Sequence, residues 1–211
     1  MKSEPRVIAT SRQPWELRHT HLLDIAEQLF VEQGFAAVSL ADIAHAAGVS
    51  KPIAYRHFTT KDGAYLACAR RAQAEFVQAL VNRVDSSLSV REQFAAAADL
   101  FFGLLENQPQ RWELIYGSAA VLPAQSRAEL AQLRSDNVAT IYTLIVKDVS
   151  NVPPLFAESL AHAMSGAAER MGHWWRSRPD LDRAQLVDSY ADIFYGAVAR
   201  YVEPPEPASG A

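Results

Sequence analysis

The chain has 211 residues, a net charge of −4 at pH 7 and one cysteine. Its hydrophobic fraction of 49% and charged fraction of 21% are ordinary for a soluble globular protein, and its length allows one or two domains with a good core. No stretch approaches about 18 uninterrupted apolar residues, and the first residues lack the apolar core of a signal peptide. We therefore expect no membrane partner.

Charge is distributed unevenly along the chain. Residues 1–83 contain ten Lys and Arg against eight Asp and Glu, whereas residues 84–211 contain ten against sixteen. This division indicates two parts with different functions. The lone Cys68 cannot form an internal disulfide or a Cys-rich metal site, so a reducing, cytoplasmic location is expected.

Apolar residues recur at helical spacing almost everywhere and strand patterns are nearly absent, which predicts an all-α fold with about nine helices. Residues 1–14, with two prolines and mixed charges, are expected to form a flexible arm. Helix 1 is predicted over about 15–33, and Gly34 follows it where a left-handed C-cap belongs. Ser39 and Asp42 resemble a capping pair that opens helix 2.

Helix 2 is predicted to stop at Gly48, and helix 3 to run from a cap at Ser50 to about Phe58. Serine and proline signals separate the later helices, which are predicted over about 61–84, 90–107, a short segment around Trp112, 123–147, 155–177 and 182–202. The predicted plan is a helix-turn-helix domain over 15–62, a connecting helix over 61–84, a larger domain over 85–203 and a disordered tail over 204–211.

Residues 39–61 contain a helix, a Gly-centred turn, a short second helix and the start of a third. This helix-turn-helix pattern is typical of proteins that place one helix in the DNA major groove. Helix 2 should pack across helix 3, which leaves the outer side of helix 3 free for the groove. The residues of helix 3 that this assigns to DNA are Lys51, Pro52, Ile53, Tyr55, Arg56 and His57.

The chemistry of these residues suits DNA. Arg56 can donate two hydrogen bonds to a guanine edge or hold a phosphate, whereas Ile53 can touch only a thymine methyl group or a sugar. The Tyr55 hydroxyl can reach a phosphate, and Lys61 lies at a helix N-terminus that attracts phosphate. The alternative is that these are three ordinary amphipathic helices joined by a glycine turn.

The same segment resembles the N-terminal domain of tetracycline-repressor-type (TetR) transcriptional regulators. The matching residues are Gly34-Phe35, Ser39-Leu40-Ala41-Asp42-Ile43-Ala44, Gly48-Val49-Ser50, Tyr55-Arg56-His57-Phe58 and Lys61. The resemblance implies that Ser39, Tyr55 and Lys61 hold phosphates. It also implies that residues in or near the groove are Lys51, Pro52, Ile53, Arg56 and His57. One departure is Ala54, where the family more often has leucine.

Members of that family are usually homodimers joined through their last two long helices, which implies a homodimer here. Helix 8 carries a stripe of small residues that would let two helices approach closely: Ala161, Ser165, Ala168 and Gly172. Helix 9 offers one face that contains Leu186, Tyr190, Ile193 and Ala197. The alternative for each residue is packing inside its own chain. A two-fold dimer would read a palindrome with one short helix per half-site.

Many aromatic residues lie between helix 4 and this expected interface. A pocket inside helices 5 to 8 would suit a mostly apolar ligand. The candidate lining residues are Phe102, Trp112, Tyr116, Met164 and Trp175. The alternative is that these side chains only fill the core.

Helix 8 also carries carboxylates and imidazoles at offsets of 0, 4, 11 and 15, which places Glu158, His162, Glu169 and His173 roughly on one face. Such a set can bind metal, and an α-helical enzyme with an acid/base or metal centre is one rival hypothesis. No other helix supplies a matching set and no motif for catalysis supports it, so we expect no metal, no cofactor and no enzyme.

A helical adaptor that binds only proteins is the second rival, but it would leave the Tyr-Arg-His-Phe-x-x-Lys arrangement without a purpose. The favoured hypothesis is a ligand-responsive transcriptional regulator that binds double-stranded DNA. We expect it to be a repressor that holds a palindromic operator as a homodimer and is released by a small, mostly apolar effector.

Overall fold

The computed structural model describes residues 14–117, 119–149 and 151–202. The arm predicted over 1–14, apart from Pro14, and the tail predicted over 204–211 lie outside these residues. The described residues form nine α-helices and one short 3₁₀ turn, with no strand among them. The all-α prediction is therefore confirmed.

The helices follow the predicted order. They are α1 (Trp15–Ala37), α2 (Leu40–Ala46), α3 (Lys51–Phe58), α4 (Lys61–Arg83), α5 (Val90–Asn107), α6 (Pro109–Tyr116), α7 (Ala124–Asp148), α8 (Pro154–Trp175) and α9 (Arg183–Val202). The helical path of α1 breaks at Gly34, whose φ is +78°. The 3₁₀ turn at Ala119–Val121 was not predicted. None of the described helices is long and apolar enough to cross a membrane.

The chain divides into two compact units. The first ends at Tyr65 and the second begins at Leu66, so the division falls within α4. In the first unit α2 packs against both α1 and α3. α2 buries Ile43, and α3 buries Ala54 and Phe58. α1 buries a stripe spaced four residues apart: Leu22, Ala26 and Phe30. The three helices thus share one apolar core.

Two local devices fix the orientation of α2. The Ser39 hydroxyl accepts from the Asp42 backbone N–H, and the Asp42 carboxylate accepts from the Ser39 backbone N–H at 2.9 Å, which completes a capping box. Hydrogen bonds from the Ser39 side chain and backbone hold the pKa of the Asp42 carboxyl below its ordinary value. At the other end, Gly48 adopts a φ of +65° and the Val49 N–H donates to the Ala44 carbonyl at 2.9 Å.

The junction between α3 and α4 is unusually tight. Thr59 has a φ of +64°, and the Thr60 N–H donates to the Phe58 carbonyl at 2.6 Å, which forms a γ-turn. A Cβ atom on Gly63 would lie 2.5 Å from the same carbonyl oxygen. Glycine at position 63 is therefore required for this approach, and the first turn of α4 closes directly on the end of α3.

In the second unit α5 packs on α9, α8 and α6, while α7 packs on α8. Phe101 on α5 contacts four aromatic rings edge-on, among them Trp112 and Tyr116 on α6. The Tyr190 hydroxyl donates to the Met164 carbonyl at 2.9 Å, and burial raises the pKa of Tyr190. Aromatic packing and this buried hydrogen bond tie α9 and α6 to the centre of the unit.

A buried polar network crosses the same unit. The Gln73 side-chain amide donates to Asn137 at 3.1 Å, and the Asn137 amide donates to the Tyr116 hydroxyl at 2.9 Å. Gln73 also donates to the backbone carbonyl of Leu133. These contacts connect α4, α6 and α7, and they satisfy amide groups whose burial would otherwise be costly.

Adding a side chain at Gly63 and removing one at Thr59 are expected to change the free energy of unfolding in opposite directions. Gly63→Ala forces a shift because its Cβ meets a backbone oxygen, so it should destabilise the protein by about 1–3 kcal/mol. Thr59→Gly removes a β-branched side chain from a positive φ and should stabilise the protein by up to about 1 kcal/mol. Urea denaturation measures both values. Effects of the same sign would contradict the geometry of this junction.

Candidate DNA-binding interface

One face of α3 is open to solvent. Ala54 and Phe58 bury the inner side of the helix, and the residues at offsets 0, 1, 4 and 5 of α3 are exposed: Lys51, Pro52, Tyr55 and Arg56. The Tyr55 side chain is 52% exposed. The helix contains no acidic residue. Four of the residues predicted to lie in or near the groove therefore share one cationic, solvent-facing surface.

The groups on this surface can make both kinds of DNA contact. Arg56 offers a planar fork of donors that fits a guanine edge or a phosphate, and the Tyr55 hydroxyl can donate to a phosphate oxygen. Ile53 is half-buried at the edge of the surface, so only part of its side chain is available for apolar contact. The Arg56 guanidinium lies 5.2 Å from the centre of the Trp15 ring, which limits the conformations of its side chain.

His57 faces α1 instead of the outer surface, so the structure does not add it to the exposed residues predicted to lie in or near the groove. Its ring stacks on Trp15 at 3.7 Å, and its Nδ1 lies 3.2 Å from Nδ1 of His19. Its Nε2 is buried and meets no hydrogen-bond partner in the described part of the chain. The physical reason is position, because residue 57 lies beside the buried Phe58 and one turn from the buried Ala54.

Trp15 belongs to this cluster although no sequence pattern indicated it. The residue is 49% exposed and opens α1, yet it covers His57 and lies beneath Arg56. A single tryptophan at a helix start carries no periodic signal, so only the folded arrangement places it against the end of α3. Trp15 thereby joins the first turn of α1 to the DNA-facing helix.

Lys61 and Ser39 already have partners in the fold. The Lys61 ammonium donates to the Ala36 carbonyl at 3.2 Å and lies 4.2 Å from the centre of the Phe35 ring. An ammonium has three donors, so one bond to a carbonyl leaves others for a phosphate. The Ser39 hydroxyl donates to the Asp42 carboxylate at 2.6 Å. A phosphate contact by Ser39 would therefore compete with the capping box of α2.

The second unit contains a mostly apolar cavity of about 70 Å³. Tyr116 and Met164, two of the five predicted ligand residues, line it. Phe102, Trp112 and Trp175 do not. Phe102 and Trp112 are fully buried among other rings, and the Trp175 indole donates to the Leu181 carbonyl at 2.7 Å. Phe102 and Trp112 belong to the core of the unit and Trp175 packs against it, which is consistent with the alternative that these side chains fill the core.

The residues predicted for a dimer interface mostly face inward. Buried positions are Ala161, Ala168, Gly172, Leu186 and Tyr190, whereas Ser165 and Ala197 are half-buried and Ile193 is 59% exposed. A Cβ on Gly172 would meet the side chains of Leu105 and Trp112 within 3.4 Å. The stripe of small residues on α8 therefore serves close packing within the chain, which leaves little of it exposed to a second copy.

The carboxylates and imidazoles of α8 do not converge on a metal site. Glu169 forms an ion pair with Arg134 at 3.4 Å, and the His173 ring lies edge-on to Trp112. Glu158 and His162 are exposed. Across the residues that the structure describes, no group of three or more His, Cys, Asp or Glu side chains could hold a metal ion.

The helix α2, the turn at Gly48 and the cationic, solvent-exposed α3 form a helix-turn-helix, the arrangement by which DNA-binding proteins of this class place a helix in the major groove. The family model described as bacterial regulatory proteins, tetR family, matches residues 22–68, which include α2 and α3 entirely. Over these residues the chain matches this family of regulators, which supports a role as a DNA-binding transcriptional regulator.

Relatives extend the similarity beyond the DNA-binding segment. The chain is 27% identical over 191 residues to the HTH-type transcriptional activator FasR of Mycolicibacterium smegmatis, covering 90% of this chain and 86% of that protein. It is 49% identical over 45 residues to the HTH-type transcriptional repressor KstR2 of Rhodococcus jostii, covering 21% of this chain and 22% of that protein. These relatives are regulators and not enzymes, which agrees with the prediction that this chain is not an enzyme.

A solved structure shares the fold. The crystal structure of a tetR-family transcriptional regulator from Streptomyces coelicolor matches with a TM-score of 0.71 at 23% sequence identity, covering 89% of this chain and 82% of that one. At that identity the likeness describes the arrangement of helices and carries no information about ligand or operator.

Removing the charge of Lys61 and the fork of Arg56 should weaken DNA binding in different ways. Lys61→Gln should lower affinity for every sequence and reduce the slope of log affinity against log salt by about 1, because one phosphate contact is lost. Arg56→Ala should cost about 1–3 kcal/mol on the preferred site and relax preference at one base. Fluorescence anisotropy at several salt concentrations measures both effects, with the exposed Lys147→Gln on α7 as control. Unchanged affinity in both variants would place the interface elsewhere.

Protonation of His57 should weaken the first unit. Burial lowers the pKa of His57 below its ordinary value of 6.5, and the positive charges of His19, Arg56 and Arg18 lower it further. The unfolded chain therefore takes up a proton near pH 6.5 that the folded chain resists, so stability is lost as the pH falls below that value. Between pH 7.5 and 5.5 the melting temperature should fall more for the wild type than for His57→Gln. The exposed His45→Gln is the control, and equal losses in His57→Gln and the wild type would refute the role of His57.

Proposed function

We propose that the chain is a cytoplasmic, ligand-responsive transcriptional repressor that holds a palindromic operator as a homodimer. A small, mostly apolar effector releases it. The observation that carries the proposal is the exposed, cationic face of α3 in one unit of a chain whose other unit encloses an apolar cavity. One unit thus has the surface for DNA and the other has the enclosed space for a small molecule.

In this proposal the exposed side chains have different roles in DNA recognition. Tyr55 and Lys61 contact phosphates and set the register, while Arg56 reads a base edge and Ile53 touches a thymine methyl group or a sugar. Lys51 and Pro52 lie at the start of α3 beside the groove. With eight residues, α3 offers few groups that read bases, so DNA shape contributes much of the specificity.

The homodimer is proposed to form through α8 and α9, as predicted, but on their exposed side, which includes only Ile193 of the predicted interface residues. We call this the outer face; its exposed members are Ser159, His162, Ala163, Gly166 and Arg170 on α8, with Ser189, Ile193, Gly196 and Arg200 on α9. Ile193 is 59% exposed, and a Cβ on Gly166 or Gly196 would meet nothing within 4 Å. Small residues around an exposed isoleucine permit close packing of a second copy about a two-fold axis.

Effector control requires two states with different affinities for the effector. A molecule in the cavity shifts the dimer away from its operator-bound state only if it binds the released state more tightly. DNA then weakens effector binding by the same factor, because the coupling is reciprocal. The proposal therefore includes measurable antagonism between operator and effector.

Repression is the proposed direction because a dimer seated on a promoter needs only to exclude other proteins from that DNA. Activation needs a further surface that contacts the transcription machinery. The relatives include a named activator as well as a named repressor. A reporter gene behind the selected operator distinguishes the two directions, since loss of a repressor raises expression and loss of an activator lowers it.

Selection of bound DNA from a random pool tests the operator proposal. The expected product is a motif with two inverted half-sites, whose centres lie about one helical turn or more apart. A motif without two-fold symmetry would contradict binding as a symmetric dimer. Failure to enrich any sequence would contradict sequence-specific binding by this chain.

Charge on the outer face should separate the two copies. Ile193→Asp buries a carboxylate in the proposed interface, so light scattering should show monomers where the wild type is dimeric, and operator affinity should fall at least tenfold. Val81→Asp changes another exposed aliphatic residue, 47% exposed on α4, and should leave the dimer intact. A monomeric wild type, or a dimeric Ile193→Asp variant, would exclude this interface.

A further inference from the structure

The cavity of the second unit has a defined length and a polar group at each end. Asn137 and Asp148 both line it, and they lie eleven residues apart on α7. Eleven residues make about three helical turns, so both side chains lie on the same face and about 16 Å apart along the axis. The lining residues of α7 between them are apolar: Ile141, Leu144 and Ile145.

α5 supplies a second wall of the same length. Val90 and Phe101 both line the cavity and are also eleven residues apart. The centre of the Phe101 ring lies 5.1 Å from that of Tyr116, whose hydroxyl is hydrogen-bonded to Asn137. At the other end, Val90 and Asp148 both line an adjoining groove. The cavity therefore runs lengthwise between antiparallel α5 and α7. The length of these two walls and their mostly apolar lining describe a narrow slot suited to one unbranched chain.

The two ends of the slot offer opposite hydrogen-bonding groups. We call the end of the slot at Asn137 the inner end and the end at Asp148 the outer end. At the inner end the Tyr116 hydroxyl accepts a hydrogen bond from Asn137 at 2.9 Å, which leaves its own hydrogen to donate. At the outer end Oδ2 of Asp148 is buried, and no group in the described chain donates to it. A buried oxygen of this kind is costly unless a donor satisfies it. The outer end is thus complementary to a hydrogen-bond donor.

The charges around the slot also favour a hydrogen-bond donor over a carboxylate. No Lys, Arg or His is found among the described residues that line it. Asp148 is also the last residue of α7, where the negative end of the helix dipole disfavours a carboxylate. Arg91 lies in the adjoining groove, but its guanidinium is paired with Asp192 at 2.7 Å and with Asp188 at 3.3 Å. Among the described residues that line the slot and its adjoining groove, a carboxylate ligand would meet like charge and no unpaired cation.

We propose that this slot takes an unbranched apolar chain whose end group donates a hydrogen bond to Asp148, such as a hydroxyl or an ammonium, and that it discriminates against a free carboxylate. An extended chain of about thirteen bonds would span the length between the polar ends, so a ten-carbon chain with its end group at Asp148 fits within the slot. The inference rests on the proposed function, since it names the chemistry of the effector that the cavity would hold.

Three ten-carbon probes test the proposal on the full chain: decan-1-ol, decylamine and decanoate. Their binding is measured by calorimetry at pH 7.5, below the concentrations at which they aggregate. The alcohol and the amine should each bind at least tenfold more tightly than decanoate. Asp148→Asn should weaken the amine at least tenfold and bring decanoate within about threefold of the alcohol. Asp136→Asn, an exposed residue of α7 that does not line the slot, should preserve the wild-type order.

Decanoate binding as tightly as the amine would overturn the proposal, and so would the absence of binding by all three probes. The wild-type ranking is informative by itself if Asp148→Asn fails to fold. A second readout, operator affinity with each probe at saturation, separates this inference from the proposed function. The expected ranking without any change in operator affinity would uphold the slot and refute effector control. Release of the operator by decanoate alone would uphold effector control and refute the role of Asp148.

Discussion

Burial of a single stripe on α3 is the constraint on which DNA recognition depends. Ala54 and Phe58 are held in the core of the first unit, so the opposite side of an eight-residue helix must face solvent. The γ-turn at Thr59 and the close approach at Gly63 then join this helix to α4 without slack. Because no flexible linker intervenes, the exposed side chains of α3 and the lysine that opens α4 are held in one fixed relation.

The second unit shows how polar groups can be placed inside an otherwise apolar interior. Tyr116, Asn137 and Gln73 satisfy one another, which makes one end of the slot a stable, specific boundary. Asp148 lacks such a partner at the other end. The same helix face thus carries a satisfied network and an unsatisfied oxygen, separated by three turns of apolar side chains. This asymmetry would orient a long ligand, since only one of its ends can meet the lone acceptor.

The sequence predicted the helices and the DNA-binding turn because their signals are local. Glycine at positive φ, the Ser39–Asp42 pair and the spacing of apolar residues each act within one or two turns of chain. The sequence signals for interface and ligand residues are ambiguous for a physical reason. The small residues Ala161 and Ala168 suit close helix packing equally within a chain and between chains, and periodicity cannot distinguish these cases. The stacking of Trp15 on His57 and the isolation of Asp148 arise only from tertiary contacts between distant segments.

Photo-crosslinking on the selected DNA site tests the central claim most directly. Duplexes carrying 5-iodouracil at successive positions would be irradiated with the full chain, and the crosslinked peptides identified by mass spectrometry. The account predicts crosslinks to the exposed face of α3, with Tyr55 foremost because its aromatic ring is half exposed beside the proposed groove contacts. Crosslinks confined to peptides outside residues 39–61 would contradict recognition by this helix.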